Sequence, residues 1–140
     1  MDSMTTEILV NIDVDDLEKA IAFYQKAVGL RLGRRLFGDN VAELLGASAK
    51  IYLLAKPGGT PGSSSLTQRR DYQRHWTPVH LDFVVTEIQA AVKRAKTAGA
   101  QLEGEVQTYD WGHTANMADP FGHGFCLLEF TGRDYNEAGS

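Results

Sequence analysis

The most constraining feature of this chain is a pattern that it contains twice. A strand-like segment at 10–17 leads into an amphipathic helix that ends at Gly29, and a second segment at 81–88 leads into a helix that ends at Gly99. The two segments are 71 positions apart (81 − 10). A repeat of this length indicates two copies of one supersecondary unit, each too small to bury its apolar face alone. We therefore expect two modules with a binding site between them.

Length, charge and cysteine content exclude several classes of protein. A chain of 140 residues forms one compact domain, or two half-domains that share a core. The net charge of −4 disfavours a surface that binds nucleic acid or an anionic membrane, and no apolar run approaches the roughly 20 residues of a membrane span. The single cysteine, Cys126, rules out an internal disulfide and suits a reducing compartment. These observations predict a soluble cytoplasmic protein.

Local signals place the elements of the first module. Alternating apolar residues predict a strand from 8 to 14, and Asp15 with Glu18 forms a capping box at the start of the helix. Gly29 suits the left-handed residue that ends this helix. Three short strands are predicted to follow, at 31–37, 41–45 and 50–54.

The second module follows the same order. Thr86 and Gln89 are predicted to cap its helix, and Gly99 is predicted to end it. Three strands are again predicted to follow, at 101–108, 113–118 and 124–130. Each module is therefore predicted to be β-α-β-β-β. The predicted limits are a first module at 6–56, a flexible linker at 57–76, a second module at 77–131 and a tail at 132–140.

Two motifs resemble those of a known superfamily. Asp16-Leu17, followed by Phe23-Tyr24 and Val28-Gly29-Leu30, resembles the first module of the vicinal oxygen chelate superfamily, which contains the glyoxalases, the extradiol dioxygenases and the bleomycin resistance proteins. The segment 119–124, ahead of a last apolar strand, resembles the end of its second module. The resemblance covers about residues 6–131 and implies an α+β fold, in which the curved mixed sheets of two βαβββ modules form a cup around a ligand.

The resemblance also implies four positions for metal ligands, two in each module. Carried onto this chain, they fall at Leu9, Tyr52, His80 and Cys126. Leucine has no electron pair to donate and tyrosine is an uncommon ligand for divalent ions, so two candidates remain and half of a tetrahedral shell is unfilled. A shift of strand register that would bring in Glu43 or Glu129 would turn apolar side chains away from the core. We therefore expect neither a bound metal nor another cofactor.

Strand alternation identifies the side chains that point away from the buried face of each sheet. The candidates for ligand contact among them are His80, Asp82, Tyr52, Cys126 and Asn11. Three of these have structural alternatives: His80 as a hydrogen-bonded strand residue, Tyr52 as a half-buried aromatic residue and Cys126 as an inert buried thiol. Trp111 is predicted either to cover the pocket or to anchor its loop, and Trp76 is predicted to pack. Apolar walls with a few polar groups are typical of a small-molecule pocket.

Three functions remain open. The first is a binding protein of the bleomycin-resistance type, which holds a small organic ligand and performs no chemistry. The second is a metal-dependent glyoxalase-like lyase or isomerase, or a dioxygenase, that acts on a substrate with vicinal oxygens. The third is metal-free acid–base catalysis by His80 with Asp82 or Tyr52. The departures at three of the four ligand positions favour the first function. The expected partners are a small organic molecule and a second copy of the chain in a homodimer, with no nucleic acid and no membrane.

Overall fold

The computed structural model describes residues 5–132. Within this range the chain divides into two compact units, which we call module 1 (5–25 and 29–71) and module 2 (26–28 and 72–132). The tail predicted at 132–140 lies outside the described residues apart from Gly132. The predicted limits of the linker and of the two modules stay a prediction.

Module 1 has the predicted order of elements. These are β1 (Leu9–Val14), α1 (Leu17–Val28, of which 26–28 are assigned to module 2), β2 (Arg31–Leu36), β3 (Val41–Leu45) and β4 (Lys50–Ala55). Its sheet has the order β1-β4-β3-β2. β1 and β4 are parallel, and the other pairs are antiparallel. A parallel pair requires a long crossover connection, and α1, β2 and β3 together supply it.

The ends of α1 follow from local residues. Asp16 is the N-cap and its Oδ1 accepts a hydrogen bond of 3.1 Å from the backbone N of Lys19. The prediction of Asp15 as the cap is therefore wrong by one residue, because Asp16 has the extended backbone of an N-cap and its carboxylate makes the capping hydrogen bond. Gly29 ends the helix with φ +73° as predicted. Glu18 lies outside the cap and forms an ion pair of 2.7 Å with Arg35 on β2.

Module 2 repeats this order with one interruption. Its elements are β5 (Leu81–Val84), α2 (Ile88–Ala98), β6 (Gln101–Leu102), β7 (Gln107–Tyr109), β8 (Gly112–Ala118) and β9 (Gly124–Phe130). The sheet has the order β5-β9-β8-β6, and β7 also pairs with β8. The strand predicted at 101–108 is therefore two short strands. Gly104, with φ +81°, bends the chain between them.

The start of α2 depends on a tertiary contact that its own sequence does not supply. Glu87 is the N-cap and makes no side-chain capping hydrogen bond, so the prediction of Thr86 and Gln89 as the capping pair is wrong. Instead, Glu129 on β9 accepts a hydrogen bond of 2.7 Å at Oε1 from the backbone N of Ile88. A free N–H of the first turn is thus satisfied by a carboxylate from the last strand. Gly99 ends the helix with φ +119°, as predicted.

Each sheet has one buried face and one face that carries the predicted contact residues. The apolar side chains on the first of these faces are Val14, Ala42, Leu44, Ile51, Leu53, Ala115, Met117, Phe125 and Leu127, all buried. Glu43, Ala118 and Leu128 alternate with them and are buried as well. On the other face Leu9 is 54% exposed and Val84 is 64% exposed. The predicted strand parity is therefore confirmed, and so is the fold class: an α+β structure with a four-stranded and a five-stranded sheet. No helix in the range 5–132 is long and apolar enough to span a membrane.

Candidate functional site

Module 1 carries a row of polar side chains across three neighbouring strands. Asn11 on β1 pairs with Tyr52 on β4, and Tyr52 pairs with Glu43 on β3. Because residues in register on neighbouring strands point to the same face, all three side chains lie on the face away from the buried core. Asn11 and Tyr52 were predicted there. Glu43 was not, although its pairing with Tyr52 requires no shift of register.

Glu43 is a buried carboxylate whose oxygens are fully committed. Glu43 is only 3% exposed. Oε1 accepts hydrogen bonds from the backbone N of Arg34 at 3.3 Å and from its Nε at 3.2 Å. Oε2 accepts from Nη2 of Arg34 at 2.8 Å and from the hydroxyl of Tyr52 at 3.2 Å. The Arg34 hydrogen bonds outweigh burial and lower the pKa of Glu43 to about 2, so this carboxyl is ionised at neutral pH.

The backbone of β2 makes room for this carboxylate. The pairing of β2 with β3 is irregular between Leu32 and Arg35. A Cβ atom at Gly33 would lie 2.7 Å from Oε1 of Glu43, closer than such atoms approach one another. Glycine at this position therefore allows the carboxylate to sit against the strand, where the next residue, Arg34, binds it on two sides.

A mainly apolar cavity of about 330 Å³ adjoins this row. Its lining residues are Asn11, Leu36, Phe37, Val41, Tyr52 and Leu54. Two of the six lining residues, Asn11 and Tyr52, carry polar side-chain atoms. Phe37 is 79% exposed. Its backbone has φ +53°, a left-handed conformation that residues other than glycine rarely adopt. The cavity therefore has apolar walls and one polar corner, formed by Asn11 and Tyr52.

Module 2 carries the corresponding row with different chemistry. Asp82 on β5 pairs with Cys126 on β9, and Cys126 pairs with Asn116 on β8. Nε2 of His80, two residues before Asp82, lies 3.1 Å from Oδ1 of Asp82. The thiol of Cys126 donates a hydrogen bond of 3.2 Å to Oδ1 of Asn116. Burial, and then the charge of Asp82, raise the pKa of Cys126 to about 11, so the group is a neutral thiol at neutral pH.

A second cavity, of about 280 Å³, lies beside this cluster within module 2. Its lining residues are Arg74, Trp76, Thr77, His80, Glu103, Asn116, Met117, Gly124, Phe125 and Cys126. Arg74 forms a two-pronged ion pair with Glu103, with distances of 2.6 and 2.9 Å, so the two charges at the rim offset each other. Trp76 is 79% exposed in this lining, so the prediction that it packs is wrong. The wall it forms is open to a ligand.

The predicted contact residues thus form two groups, one in each module. Asn11 and Tyr52 lie together in module 1, and His80, Asp82 and Cys126 lie together in module 2. Trp111 is placed elsewhere in module 2. Its ring stacks on that of Tyr109, with 5.4 Å between the ring centroids, and lies against that of Phe130, with 6.0 Å between the centroids. These contacts match its alternative role as a loop anchor. That the two groups surround one shared cup stays a prediction.

The four metal positions implied by the superfamily differ in the donors that they offer. Leu9 has no donor atom, and the hydroxyl of Tyr52 is engaged by Glu43. Within module 2, however, His80, Asp82 and Cys126 each offer one ligand atom, and these atoms lie within 4.8 Å of one another. Imidazole, carboxylate and thiolate together are a donor set that suits zinc. Asp82 is not one of the four positions at which the resemblance implies a metal ligand.

A family model and a related sequence both match most of this chain. The family model described as a glyoxalase-like domain matches residues 9–128. An uncharacterized protein of Mycobacterium bovis, Mb0911c, is 33% identical over 121 residues, which cover 81% of this chain and 76% of that protein.

Solved structures share the fold at lower identity. TnmS3, an antibiotic binding protein from a Streptomyces species, is 22% identical with a TM-score of 0.63, and the match covers 94% of this chain and 100% of that one. A mutant of FosX, a fosfomycin resistance protein from Listeria monocytogenes solved with Mn(II) and a dihydroxypropylphosphonic acid, is 21% identical with a TM-score of 0.66. That match covers 91% of this chain and 90% of that one.

The environment of Cys126 predicts slow alkylation at neutral pH. Its pKa of about 11 lies above the ordinary value of 9.0, so the thiolate fraction at pH 8 is about 100-fold smaller than in an unperturbed thiol. We expect the rate of iodoacetamide labelling, followed by mass spectrometry, to keep rising up to about pH 11. Asp82→Asn removes a charge that raises this pKa and should speed labelling at pH 8, whereas the control Asp110→Asn should not. A midpoint near pH 9 in the wild-type protein would contradict this prediction.

Proposed function

This chain belongs to the glyoxalase-like domain family of the vicinal oxygen chelate superfamily, and from this premise we propose that it binds a small organic molecule. The observation that carries the proposal is the module 1 cavity of about 330 Å³, with apolar walls and one polar corner at Asn11 and Tyr52. This size and composition are typical of small-ligand sites, in which apolar contacts supply affinity and a few polar groups fix orientation. The shared fold with TnmS3, an antibiotic binding protein, supports the same kind of ligand.

We place the other ligand contacts in module 2. His80 and Cys126 line its cavity, and Asp82 forms an ion pair with His80 when the imidazole is protonated. Asp82 and Cys126 stand on the face away from the buried core, so a ligand can reach their polar atoms without disturbing that core. Binding in this form uses hydrogen bonds and apolar contact and needs no metal.

Titration with indole, a two-ring aromatic probe, tests ligand binding. We expect indole to shift the backbone amide NMR signals of strands β1 and β4, because their side chains line the module 1 cavity. Tyr52→Ala should weaken the binding about threefold to tenfold through loss of the aromatic contact. Tyr109→Ala, which removes a tyrosine that is 48% exposed in module 2, is the matched control. Shifts spread evenly over the surface, or an unchanged affinity in Tyr52→Ala, would contradict binding at this cavity.

A second candidate function is that of a metal-dependent lyase or dioxygenase, and one observation favours it. His80, Asp82 and Cys126 bring three donor atoms within 4.8 Å of one another beside the module 2 cavity. Three protein ligands with an open fourth position are typical of catalytic zinc sites. A metal held by these residues would polarise the oxygens of a bound substrate. The residues of the chain would bind and orient that substrate through the cavity wall.

Metal content separates the two candidates. The donors are already engaged, His80 with Asp82 and Cys126 with Asn116, and a metal must displace those contacts as well as the thiol proton. We therefore expect purified protein to carry well below one equivalent of zinc, nickel or iron in elemental analysis. One equivalent of metal that is lost in both Cys126→Ser and His80→Ala would instead favour the second candidate. Asp110→Asn serves as a control for nonspecific binding to exposed carboxylates.

We propose further that the protein is a homodimer located in the cytoplasm. β1 and β5 each end the strand order of their sheet, and edge strands offer unpaired backbone groups to a second copy. The exposed apolar side chains Ile8 and Leu9, at 65% and 54%, stand at the β1 edge and favour association. The free thiol of Cys126 fits a reducing compartment.

The assembly is tested by its mass in solution. We expect light scattering at micromolar protein to return about twice the chain mass of 15.4 kDa. Ile8→Lys should shift the mass towards that of one chain, because it places a charge at the edge that pairs. Val79→Lys, at a valine that is 80% exposed outside any strand, is the control. A wild-type mass near 15.4 kDa would overturn the dimer.

A further inference from the structure

We infer that the ligand group that meets Tyr52 is a hydrogen-bond donor, such as an N–H or an O–H, and not a carbonyl or a carboxylate. The inference rests on the proposed binding of a small organic molecule in the module 1 cavity and names the chemistry of that ligand. Its basis is the contact between Tyr52 and the buried carboxylate of Glu43, which determines the direction of the tyrosine's hydrogen bonds.

The hydroxyl of a tyrosine has one hydrogen to donate and lone pairs with which to accept. An ionised carboxylate has no hydrogen, so in the contact of 3.2 Å between Tyr52 and Oε2 of Glu43 the hydroxyl must be the donor. The single hydrogen of Tyr52 is thereby used. Whatever else approaches the hydroxyl oxygen meets a lone pair, and must itself donate.

The carboxylate holds this arrangement because it cannot readily turn away. Arg34 binds it through its backbone N, Nε and Nη2, and Gly33 leaves the space in which it sits. If the hydroxyl rotated to donate to a ligand, Glu43 would lose one of its hydrogen bonds. This loss is costly because Glu43 is charged and only 3% exposed, so water cannot easily replace the missing donor.

The rest of the cavity defines the remainder of the ligand. Asn11, beside Tyr52, offers both a donor and an acceptor and so selects for neither. The other lining residues are apolar: Leu36, Phe37, Val41 and Leu54. The cavity thus fits an apolar or aromatic body with one donor group at the polar corner.

Two probes of matched shape test this inference. Indole and benzofuran are both flat two-ring molecules, but indole carries an N–H donor where benzofuran carries a weakly accepting oxygen. We expect the wild-type protein to bind indole about threefold to tenfold more tightly in NMR titrations, the range that one net hydrogen bond supplies. Equal affinities would overturn the inference while leaving small-molecule binding intact. Failure of both probes to bind in the cavity would overturn the proposed function as well.

Two variants assign the preference to its residues. Tyr52→Phe removes the hydroxyl and keeps the ring, so it should bind both probes with equal affinity. Glu43→Gln replaces one carboxylate oxygen with an NH₂ group. Two donors of Arg34 meet the Oε1 position and only one meets Oε2, so we expect the NH₂ group at Oε2, facing Tyr52, and the ratio of the two affinities should fall. Urea unfolding of each variant checks that it is folded. A ratio that survives in Tyr52→Phe would assign the selection to another group and overturn the inference. A full ratio in Glu43→Gln would overturn the role of Glu43 as the positioning residue.

Discussion

The parallel pairing of the first and last strands is the constraint on which each module depends. β1 pairs with β4 in module 1 and β5 with β9 in module 2. A parallel pair needs a crossover, and the crossover in each module contains the helix and the intervening strands. Because side chains alternate along the paired strands, burying one face of the sheet necessarily presents the other set of residues together. The polar rows are therefore a consequence of the same pairing that forms the core.

The two rows occupy equivalent places in the repeat and differ in charge balance. In module 1, Tyr52 stands between Asn11 and Glu43, and the carboxylate is neutralised by an arginine. In module 2, Cys126 stands between Asp82 and Asn116, and the nearby Asp82 helps to raise the pKa of the thiol. The hydroxyl of Tyr52, oriented by Glu43, and the neutral thiol of Cys126 can both form hydrogen bonds. Neither is a preformed nucleophile, which agrees with binding as the proposed activity.

The sequence predicted those features that arise from short-range periodicity. The repeat, the strand parity and the glycines at 29 and 99 all follow from local pattern, and all are confirmed. The cap of α2 could not be predicted in this way, because its hydrogen bond comes from Glu129, 41 residues further along the chain. Glu43 was missed for a related reason. A charged residue in a strand is ordinarily predicted to face solvent. Glu43 is buried because it pairs with Tyr52 and occupies the space that Gly33 leaves by having no side chain, and neither feature can be read from local sequence.

The departures from the superfamily's ligand positions acquire a physical meaning once their partners are known. Tyr52 stands where the resemblance implies a metal ligand, and its hydroxyl is bound to a carboxylate that is itself held by Arg34. To serve a metal, Tyr52 would have to give up the hydrogen bond that its hydroxyl donates to Glu43. The ion pair between buried Glu43 and exposed Arg34 therefore has two effects: it disfavours a metal at Tyr52, and it leaves the hydroxyl of Tyr52 to accept a hydrogen bond from a ligand. In the proposed site, selection of a donor ligand at Tyr52 depends on the direction of its hydrogen bond to Glu43. Glu43 can lie there because Gly33 on β2 has no side chain.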